Sequence, residues 1–345
     1  MKRTFPSGCI VLCALVGLAG SVAAQSDPVE AFYKGRTVNM VVGWTPGSSY
    51  DLYLRVVSRH LGKYIPGNPN LIIQHMPGAG SLRATSYLAN AAPKDGSTIG
   101  MPHPVNIIEP LIDPERTKFD PRAFNWLGAL NAEFPVCAFW AKDIKTLDDL
   151  KRREMVLSST GPAAGSTVDA LLLKALLGIN FKVVMGYPGL PEMRMAAESG
   201  EVDGMCGIWF SNVKRDFGDA FKSGAVAVPI QYGLTKHPEL PDVTNAYDLL
   251  ASDEDRQLFK LTVGPLAFGR PLMAPPGTPP DRVAALRKAF DAMTPDPEFR
   301  ADAKQLDLEL QVRDAAAVDR VVEEIFRTLP AVVERARVLI GVGNR

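Results

Sequence analysis

The stretch TVNMVVGWTPGSSYD, residues 37–51, decides the fold class of this chain. Residues 37–44 are apolar and rich in β-branched side chains, which is typical of a buried strand. Residues 45–49 break that pattern with Pro and Gly, and Asp51 then precedes an amphipathic run over residues 52–64, which predicts a helix. A strand that passes through a short turn into a helix is the repeating unit of an α/β fold.

The same unit recurs along the chain. Further strands are predicted over residues 70–74, 98–101, 135–141, 155–158, 181–185 and 204–210. Further helices are predicted over residues 81–92, 146–153, 166–177, 191–199, 281–293 and 314–339. Strands that alternate with helices in this way predict an α/β fold with mixed or parallel sheets, rather than a β-sandwich or a helical bundle.

The length of 345 residues favours two lobes with a cleft between them. The predicted organisation is a leader over residues 1–24, the first part of lobe one over 25–130, lobe two over 131–265, and a return to lobe one with the C-terminal helices over 266–345.

The first residues have the layout of a secretory signal peptide. Lys2 and Arg3 precede the apolar run 10–18, and small residues follow over 21–25, so cleavage is expected near Ala24. No later apolar stretch approaches the roughly 18 to 20 residues that a membrane helix needs. We therefore expect an exported protein.

The charge balance excludes one class of partner. The chain has 38 Lys and Arg against 38 Asp and Glu, and loss of Lys2 and Arg3 with the leader leaves 36 against 38. Such a chain offers no polybasic surface for a phosphate backbone, so we expect no nucleic-acid partner.

Two of the four cysteines, Cys137 and Cys206, lie beyond the leader, and both fall in short apolar segments that read as buried strands. Two buried free thiols are the favoured interpretation. A disulfide is the alternative in an oxidising compartment, and it depends on a separation that the sequence does not reveal.

Motifs for nucleotide binding and hydrolysis are missing from the sequence. Residues 78–80 lack the Gly-Lys-Ser/Thr of a Walker A motif, Arg83 replaces the third Gly of GxGxxG, residues 43–47 place Thr at the centre of a would-be GxSxG, and neither HExxH nor CxxC occurs. We predict that the chain is not an enzyme and needs no cofactor or metal. The alternative is a secreted α/β hydrolase whose Ser and His meet only in the tertiary fold.

Small-residue turns before predicted helices are the remaining candidate sites. The N-terminus of a helix exposes unpaired N–H groups and the positive end of the helix dipole, so it binds anions without a basic side chain. Such turns lie at residues 48–51, 78–81, 161–167 and 187–189. Since ligands of open α/β sheets bind at the carboxyl ends of strands, these turns predict an anion site.

A set of short motifs in a fixed order resembles one known family. These are VVGWTPG at residues 41–47 followed by Asp51, MPGAG at 76–80, APKDG at 92–96, GEVD at 200–203, HPELPDV at 237–243 and APPGTP at 274–279. Their order and spacing over residues 32–339 are similar to those of the solute-binding receptors of tripartite tricarboxylate transporters, the TctC or Bug family.

The resemblance implies a periplasmic, monomeric binding protein with a hinged type II Venus-flytrap fold. Its cleft would close on a small mono-, di- or tricarboxylate, aromatic acids included, and membrane transporter subunits would recognise the closed form. A ligand-sensing module for a membrane kinase uses the same fold and differs only in its partner. One departure is Gly47-Ser48, where the family usually has Gly-Gly.

The resemblance also implies which loops bind the ligand. Residues 45–51 and 78–81 would hold one carboxylate through backbone N–H groups and water, and residues 159–166 and 187–189 would contact its far end. The predicted ligand-binding residues are Thr45, Gly47, Ser48, Ser49, Tyr50, Gly78, Ala79, Gly80, Ser81, Thr160, Gly161, Ser166, Tyr187, Gly189 and Asp203.

Four side chains have two interpretations each. Asp51 is expected to stabilise the first loop as an N-cap, the alternative being contact with a cationic ligand group. Asp203 is expected to orient the loop of Tyr187, with direct ligand contact as the alternative. Trp44 and Trp209 either wall a ligand or pack in the core.

Overall fold

The computed structural model describes residue 1, residues 27–161 and residues 164–340. The predicted leader therefore lies, apart from its first residue, outside the described residues. Within the described part of the chain, none of the helices is long and apolar enough to cross a bilayer.

Twelve strands form in the described residues. They are β1 Thr37–Val42, β2 Asn70–His75, β3 Thr98–Met101, β4 Asn125–Asn131, β5 Pro135–Phe139, β6 Met155–Ser159, β7 Phe181–Met185, β8 Gly204–Trp209, β9 Ala227–Gln231, β10 Thr244–Asn245, β11 Gly269–Ala274 and β12 Arg313–Asp314.

Fourteen α-helices accompany them in the same ranges. They are α1 Pro28–Tyr33, α2 Ser49–His60, α3 Leu82–Asn90, α4 Glu109–Ile112, α5 Leu147–Leu150, α6 Gly165–Leu177, α7 Leu190–Glu198, α8 Phe210–Asp216, α9 Gly218–Lys222, α10 Asp253–Val263, α11 Pro280–Met293, α12 Pro297–Gln305, α13 Ala315–Phe326 and α14 Pro330–Ile340.

The strands form two six-stranded sheets. The first has the order β12-β4-β11-β3-β1-β2 and defines lobe one; the second has the order β10-β9-β5-β8-β6-β7 and defines lobe two. In lobe one β1 pairs in parallel with β2 and β3, and β11 is antiparallel to its neighbours. In lobe two β6 pairs in parallel with β7 and β8, and β5 is antiparallel to β8 and β9. Both sheets are therefore mixed.

The chain passes between the sheets twice. It leaves lobe one after β4 and enters β5 through residues 132–134, and it returns through the 3-10 turn Gly264–Phe268 into β11. The two crossings lie side by side, because the Glu133 N–H donates to the Leu266 carbonyl. We call residues 132–134 and 264–268 the hinge. The prediction that lobe two begins at residue 131 and that the chain returns to lobe one at residue 266 stays a prediction.

Most elements begin and end within a few residues of their predicted bounds, and the difference at α2 has a local cause. The predicted strand 37–44 ends at Val42, and α2 begins at Ser49 rather than at residue 52. Ser48 is the N-cap, since its Oγ accepts the Asp51 N–H at 3.3 Å. The helix therefore starts one turn earlier, inside the loop that the sequence predicts to bind the ligand.

Helices cover both sheets, and this buries the apolar residues of the strands. In lobe one α2, α11 and α13 pack on the sheet, and in lobe two α6 and α7 do so. The core of lobe one includes Met40, Leu54 and Phe290, none of which has measurable exposure. The C-terminal α14 packs against α10, α6 and α4, which joins it to both lobes.

Cys137 and Cys206 form a disulfide, so the favoured prediction of two free thiols is wrong. They lie on β5 and β8, which are antiparallel neighbours in lobe two, and their Cα atoms are 4.0 Å apart. The two residues are 69 positions apart in the sequence. Only the pairing of the strands brings them together, which is why their spacing did not predict the bond.

The disulfide should contribute strongly to stability. The double variant Cys137→Ala/Cys206→Ala should lose about 4 kcal/mol of unfolding free energy, because the bond closes a long loop in the unfolded chain. Denaturant unfolding with and without dithiothreitol measures this. The reductant should lower the midpoint of the wild-type protein and leave that of the variant unchanged; equal wild-type midpoints under both conditions would contradict the prediction.

Candidate functional site

The first loop, between β1 and α2, is held by one buried carboxylate. Asp51 Oδ2 accepts the Gly47 N–H and the Arg55 Nε–H, each at 2.8 Å, and Oδ1 lies 2.8 Å from Nε2 of His75 at the end of β2. Burial by itself would raise the pKa of Asp51, but these hydrogen bonds outweigh it and lower the pKa. Asp51 thus stabilises the loop, as expected, although the N-cap itself is Ser48.

The N-terminus of α2 presents free backbone donors. The Leu52 N–H bonds to the Ser48 carbonyl and the Asp51 N–H to the Ser48 hydroxyl. The N–H groups of Ser49 and Tyr50 precede the first acceptor that the helix supplies, so helix geometry leaves them unpaired. Together with the helix dipole they form a positive pole that faces the cleft.

The second loop, between β2 and α3, has an unusual backbone. Gly78, Ala79, Gly80 and Ser81 have φ values of 140°, 48°, 60° and 73°, so four consecutive residues, two of them not glycine, have positive φ. Such strain persists where the surroundings impose it, and it is common at ligand sites. Ser81 is fully buried, and its Oγ has no partner in the described part of the chain.

Gly43 explains how the two loops meet. A side chain at Gly43 would lie 2.1 Å from the Ser81 Oγ, so only glycine allows Ser81 to pack against the end of β1. The Asn106 side chain holds the second loop from the other side, since its Nδ2 donates to the Gly80 carbonyl at 3.2 Å. The two predicted loops of lobe one are therefore adjacent in space.

Four aromatic rings contact one another where the two lobes adjoin. Trp44, Tyr50 and His103 belong to lobe one, and the His103 ring is 5.7 Å from that of Trp209 of lobe two. The Trp44 Nε1 and the Tyr50 hydroxyl are buried without a partner among the described residues. Trp44 and Trp209 both also pack against a hydrophobic core, so the interpretation that they wall a ligand stays a prediction.

His103 remains a neutral imidazole at physiological pH. Burial among the rings, and then the positive charge of Arg270, lower the pKa of His103 to about 3. Its Nδ1 accepts the Val105 N–H at 3.2 Å. Within the described residues, no serine hydroxyl lies within hydrogen-bond distance of this ring, so His103 lacks the partner that a hydrolase would need.

Arg270, at the start of β11, was not predicted to be a site residue. It is 1% exposed and has a φ of 51°. Its guanidinium forms an ion pair with Glu133 of the hinge and donates to the Ser49 hydroxyl at 3.0 Å. The sequence does carry a signal, because a lone arginine in an otherwise apolar strand must find a buried partner.

Glu133 connects Arg270 to both lobes. Its Oε1 accepts from the Asn131 amide at 2.8 Å, and its Oε2 accepts from the hydroxyl of Ser211, in α8 of lobe two, at 3.2 Å. Glu133 is itself 4% exposed. A buried ion pair therefore lies where the hinge, the first loop and lobe two meet.

The predicted loop of lobe two is held together by its own hydroxyl groups. The Ser159 Oγ lies 2.7 Å from the hydroxyls of Ser166 and Thr167, and Thr167 donates to the Gly161 carbonyl. Thr160 is exposed beside them. These residues lie at the carboxyl end of β6, but most of their polar groups are already used within the loop.

The other predicted residues of lobe two are farther from the centre. The N–H of Tyr187 bonds to the Ser159 carbonyl, which keeps its turn beside the lobe-two loop, and Gly189 follows as the N-cap of α7. The Tyr187 hydroxyl donates to Glu201 at 2.6 Å. Glu201 rather than Asp203 therefore orients the Tyr187 side chain.

Asp203 lies at the wrong end of the sheet for a ligand contact. It precedes β8, where it accepts two hydrogen bonds from the Arg153 guanidinium at 2.8 and 3.0 Å and one from the Val156 N–H at 2.7 Å. These partners mark the amino ends of β6 and β8, whereas the cleft lies at their carboxyl ends. We therefore remove Asp203 from the candidate site.

Among the residues that the structure describes, two groups of side chains have ligand atoms close enough together for a metal ion. They are His60 with Asp296 and Glu298, and His237 with Glu239 and Glu309. In each group a lysine ammonium already pairs with the acids: Lys63 with Glu298, and Lys214 with Glu239 and Glu309. Both are therefore better described as ion-pair clusters.

The chain is similar in sequence to two known proteins. No family model matches the chain. A UPF0065 protein encoded in the gbd 5′ region of Cupriavidus necator is 24% identical over 343 residues, which cover 95% of both chains. BugT of Bordetella pertussis is 35% identical over 89 residues, which cover 26% of both chains.

Solved structures resemble the whole fold. A TctC solute-binding protein from Polaromonas has a TM-score of 0.65 at 15% identity, covering 88% of this chain and 99% of its own. MatC from Rhodopseudomonas palustris with bound malate has a TM-score of 0.62 at 21% identity, covering 89% and 99%. The chain has the TctC/Bug fold.

The predicted resemblance and fold class are thereby confirmed. The two mixed sheets are the two lobes of a periplasmic-binding-protein fold. A third structure with the TctC/Bug fold, from R. palustris and with adipate, has a TM-score of 0.63 at 18% identity and covers 89% of this chain and 98% of its own.

Glu309 of lobe one contacts two basic side chains of lobe two away from the rings, and one of them is His237, whose Nε2 lies 3.9 Å from the Glu309 Oε2. Lys214 of α8 in lobe two pairs with Glu309 of lobe one, whose carbonyl accepts from the Tyr53 hydroxyl at 2.7 Å. Lys214 also pairs with Glu239 at 2.6 Å, but Glu239 belongs to lobe two. The two acids therefore provide a matched comparison.

Glu309→Gln should loosen the contact between the lobes. Small-angle scattering of the ligand-free variant should give a larger radius of gyration than the wild-type protein, because the charged link across the cleft is lost. Glu239→Gln is the control and should leave the radius unchanged, since it removes a pair within lobe two. An unchanged radius for Glu309→Gln would show that the pair does not hold the lobes together.

A buried carboxyl group behind the lobe-two loop should make stability depend on pH. Asp169 of α6 accepts from the Tyr232 hydroxyl at 3.1 Å, and burial raises the pKa of Asp169 to about 7. Because the folded pKa exceeds the unfolded value, the contribution of Asp169 to the unfolding free energy should be highest below about pH 4 and fall as pH rises to about 7, by up to about 4 kcal/mol.

Asp169→Asn measures this contribution. Chemical unfolding of both proteins at several pH values from 4 to 8 gives the difference in unfolding free energy. The wild-type protein should lose stability relative to the variant as pH rises, with no further change above about pH 8. A difference that stays constant with pH would contradict the prediction.

Proposed function

We propose that this chain is an exported receptor that captures a small carboxylate between its two lobes and delivers it to a membrane transporter. One observation carries the proposal: unpaired buried donors converge where the lobes meet. The Tyr50 hydroxyl, the Trp44 Nε1 and the Ser81 hydroxyl have no partner among the described residues. Tyr50 lies in the first turn of α2, its ring is 5.6 Å from that of Trp44, and Ser81 packs against Gly43 at the end of β1. Buried donors without acceptors are costly, so an anion is the natural occupant.

The neighbouring structures support this ligand class. MatC from R. palustris has bound malate, another R. palustris protein has adipate, and both share the fold of this chain. Malate and adipate are small dicarboxylates. Transfer to subunits of a tripartite tricarboxylate transporter, a periplasmic location and a monomeric state extend the proposal and rest on the resemblance to the TctC/Bug receptors.

The proposed mechanism is closure of the hinge. A ligand that binds the first two loops of lobe one and contacts Trp209 of lobe two makes more contacts in the closed form, so binding favours that form. The proposed site comprises the predicted residues of both lobes without Asp203, with Trp44, His103 and Trp209 added.

The hydrolase alternative receives little support. It requires Ser, His and an acid to converge in the cleft, and the one histidine at the rings, His103, has a pKa too low for a general base at neutral pH. The proposal is therefore a receptor rather than an enzyme.

A thermal-shift screen tests the proposal. Malate, adipate, citrate and benzoate are added in turn, and at least one should raise stability by about 2.7 kcal/mol at roughly 100 times its Kd, because it binds only the folded state. Tyr50→Phe should lower the affinity for that acid several-fold, as measured by calorimetry. It should not lower the unfolding free energy, since the deleted hydroxyl has no partner among the described residues.

Tyr33→Phe is the matched control. The Tyr33 hydroxyl donates to the Gly96 carbonyl at 3.1 Å inside lobe one, so its loss should reduce stability by about 1 kcal/mol and leave acid binding unchanged. If none of the four acids raises the melting temperature, the proposed function is wrong. Equal affinities of wild-type protein and Tyr50→Phe would remove Tyr50 from the site.

A further inference from the structure

We propose that Arg270 binds the ligand carboxylate directly, through the Nε–H and the remaining N–H of Nη2. This inference rests on the proposed function and adds a charged residue to a site that was otherwise expected to use backbone N–H groups and water. It also defines what the cleft selects: an anionic carboxylate over a neutral group of the same shape.

The guanidinium has one edge free. Its Nη1 pairs with Glu133 and its Nη2 donates to the Ser49 hydroxyl at 3.0 Å. The Nε is buried and makes no hydrogen bond in the described ranges, and the Tyr50 hydroxyl lies beside the guanidinium. A guanidinium has five N–H donors in a rigid plane, so an edge with Nε unpaired suits a carboxylate oxygen.

The electrostatics of the surroundings favour an anion at that edge. The guanidinium lies against Ser49, the first residue of α2, so a positive side chain faces the positive end of a helix dipole. Glu133 supplies one compensating charge, and His103 adds none because it is neutral. A carboxylate between Arg270 and the free N–H groups of α2 would neutralise the repulsion between them.

The backbone of Arg270 indicates that its position is imposed. A φ of 51° lies in the left-handed region, which is unfavourable for an arginine backbone. The same residue is 1% exposed. The fold therefore accepts both strain and a buried charge in order to place this guanidinium at the cleft, which a packing role alone would not explain.

Three rings hold the guanidinium plane. Its carbon lies 4.6 Å from the ring centre of Tyr50, 4.9 Å from that of Tyr53 and 5.1 Å from that of Trp209. These cation–π contacts exclude water, which strengthens a hydrogen bond to a charged ligand. Trp209 belongs to lobe two. The Arg270 guanidinium, which would bind the carboxylate, therefore also contacts the lobe that closes over the ligand.

The experiment compares acids with their amides. Calorimetry measures the affinities of wild-type protein for malate, adipate and benzoate and for malamide, adipamide and benzamide, which keep the shape and lose the charge. Arg270→Gln should lower the affinity for the tightest-binding acid by about 10- to 100-fold, and the ratio of the affinity for an acid to that for its amide should fall towards one. Glu133→Gln should keep that ratio, whatever its effect on the absolute affinities, because Arg270 still carries the charge that distinguishes an acid from its amide.

Arg282→Gln is the matched control. The Arg282 guanidinium stacks on Phe32 at 3.6 Å within lobe one, far from the rings of the cleft, so its loss should leave the ratio unchanged. Arg270→Gln leaves Glu133 buried without its partner, and this variant could fail to fold for that reason. The double variant Arg270→Gln/Glu133→Gln, which has neither charge, then replaces it. The measurement on Glu133→Gln does not depend on either of these variants.

The outcomes separate the two proposals. If none of the six compounds binds the wild-type protein, the proposed function fails and this inference with it. If an acid binds the wild-type protein and Arg270→Gln keeps the acid-over-amide ratio, the inference fails and the proposed function stands. A parallel fall of that ratio in Arg270→Gln and Glu133→Gln would assign the pair a structural role and overturn the inference.

Discussion

The buried ion pair of Arg270 and Glu133 is the interaction on which the cleft depends. Burying two charges costs several kcal/mol per ion, and the cost is met only where geometry and further hydrogen bonds compensate it. Here Ser49, Asn131 and Ser211 supply those bonds. Since Glu133 lies in the hinge and Ser211 in lobe two, the same pair links the N-terminus of α2 to the relative position of the lobes.

Backbone geometry prepares the rest of the site. Asp51 ties the first loop to the end of β2, and four consecutive positive φ values shape the second loop. Gly43 allows the two loops to touch, because any side chain there would collide with Ser81. Strain, close approach and unpaired donors thus occur together at the carboxyl ends of β1 and β2, where an α/β sheet places its ligands.

Much of the architecture follows from local pattern. The run at residues 37–44 and its Pro-Gly turn predict a βα unit, and β1 and α2 form there with bounds shifted by a few residues. Asp203 differs in this respect. The sequence indicates that it precedes a strand, but it does not indicate at which end of the sheet Asp203 lies. Its partners, Arg153 and Val156, lie about 50 residues away.

The α/β class, the two lobes, the resemblance to TctC/Bug receptors and the loops at the ends of β1 and β2 can all be predicted from the amino-acid sequence, because they depend on local periodicity, turn residues and motif order. The Cys137–Cys206 bond and the pairing of Arg270 with Glu133 become visible only in the folded chain. Both join residues far apart in the chain, and their energies depend on strand pairing and burial, which no local pattern encodes.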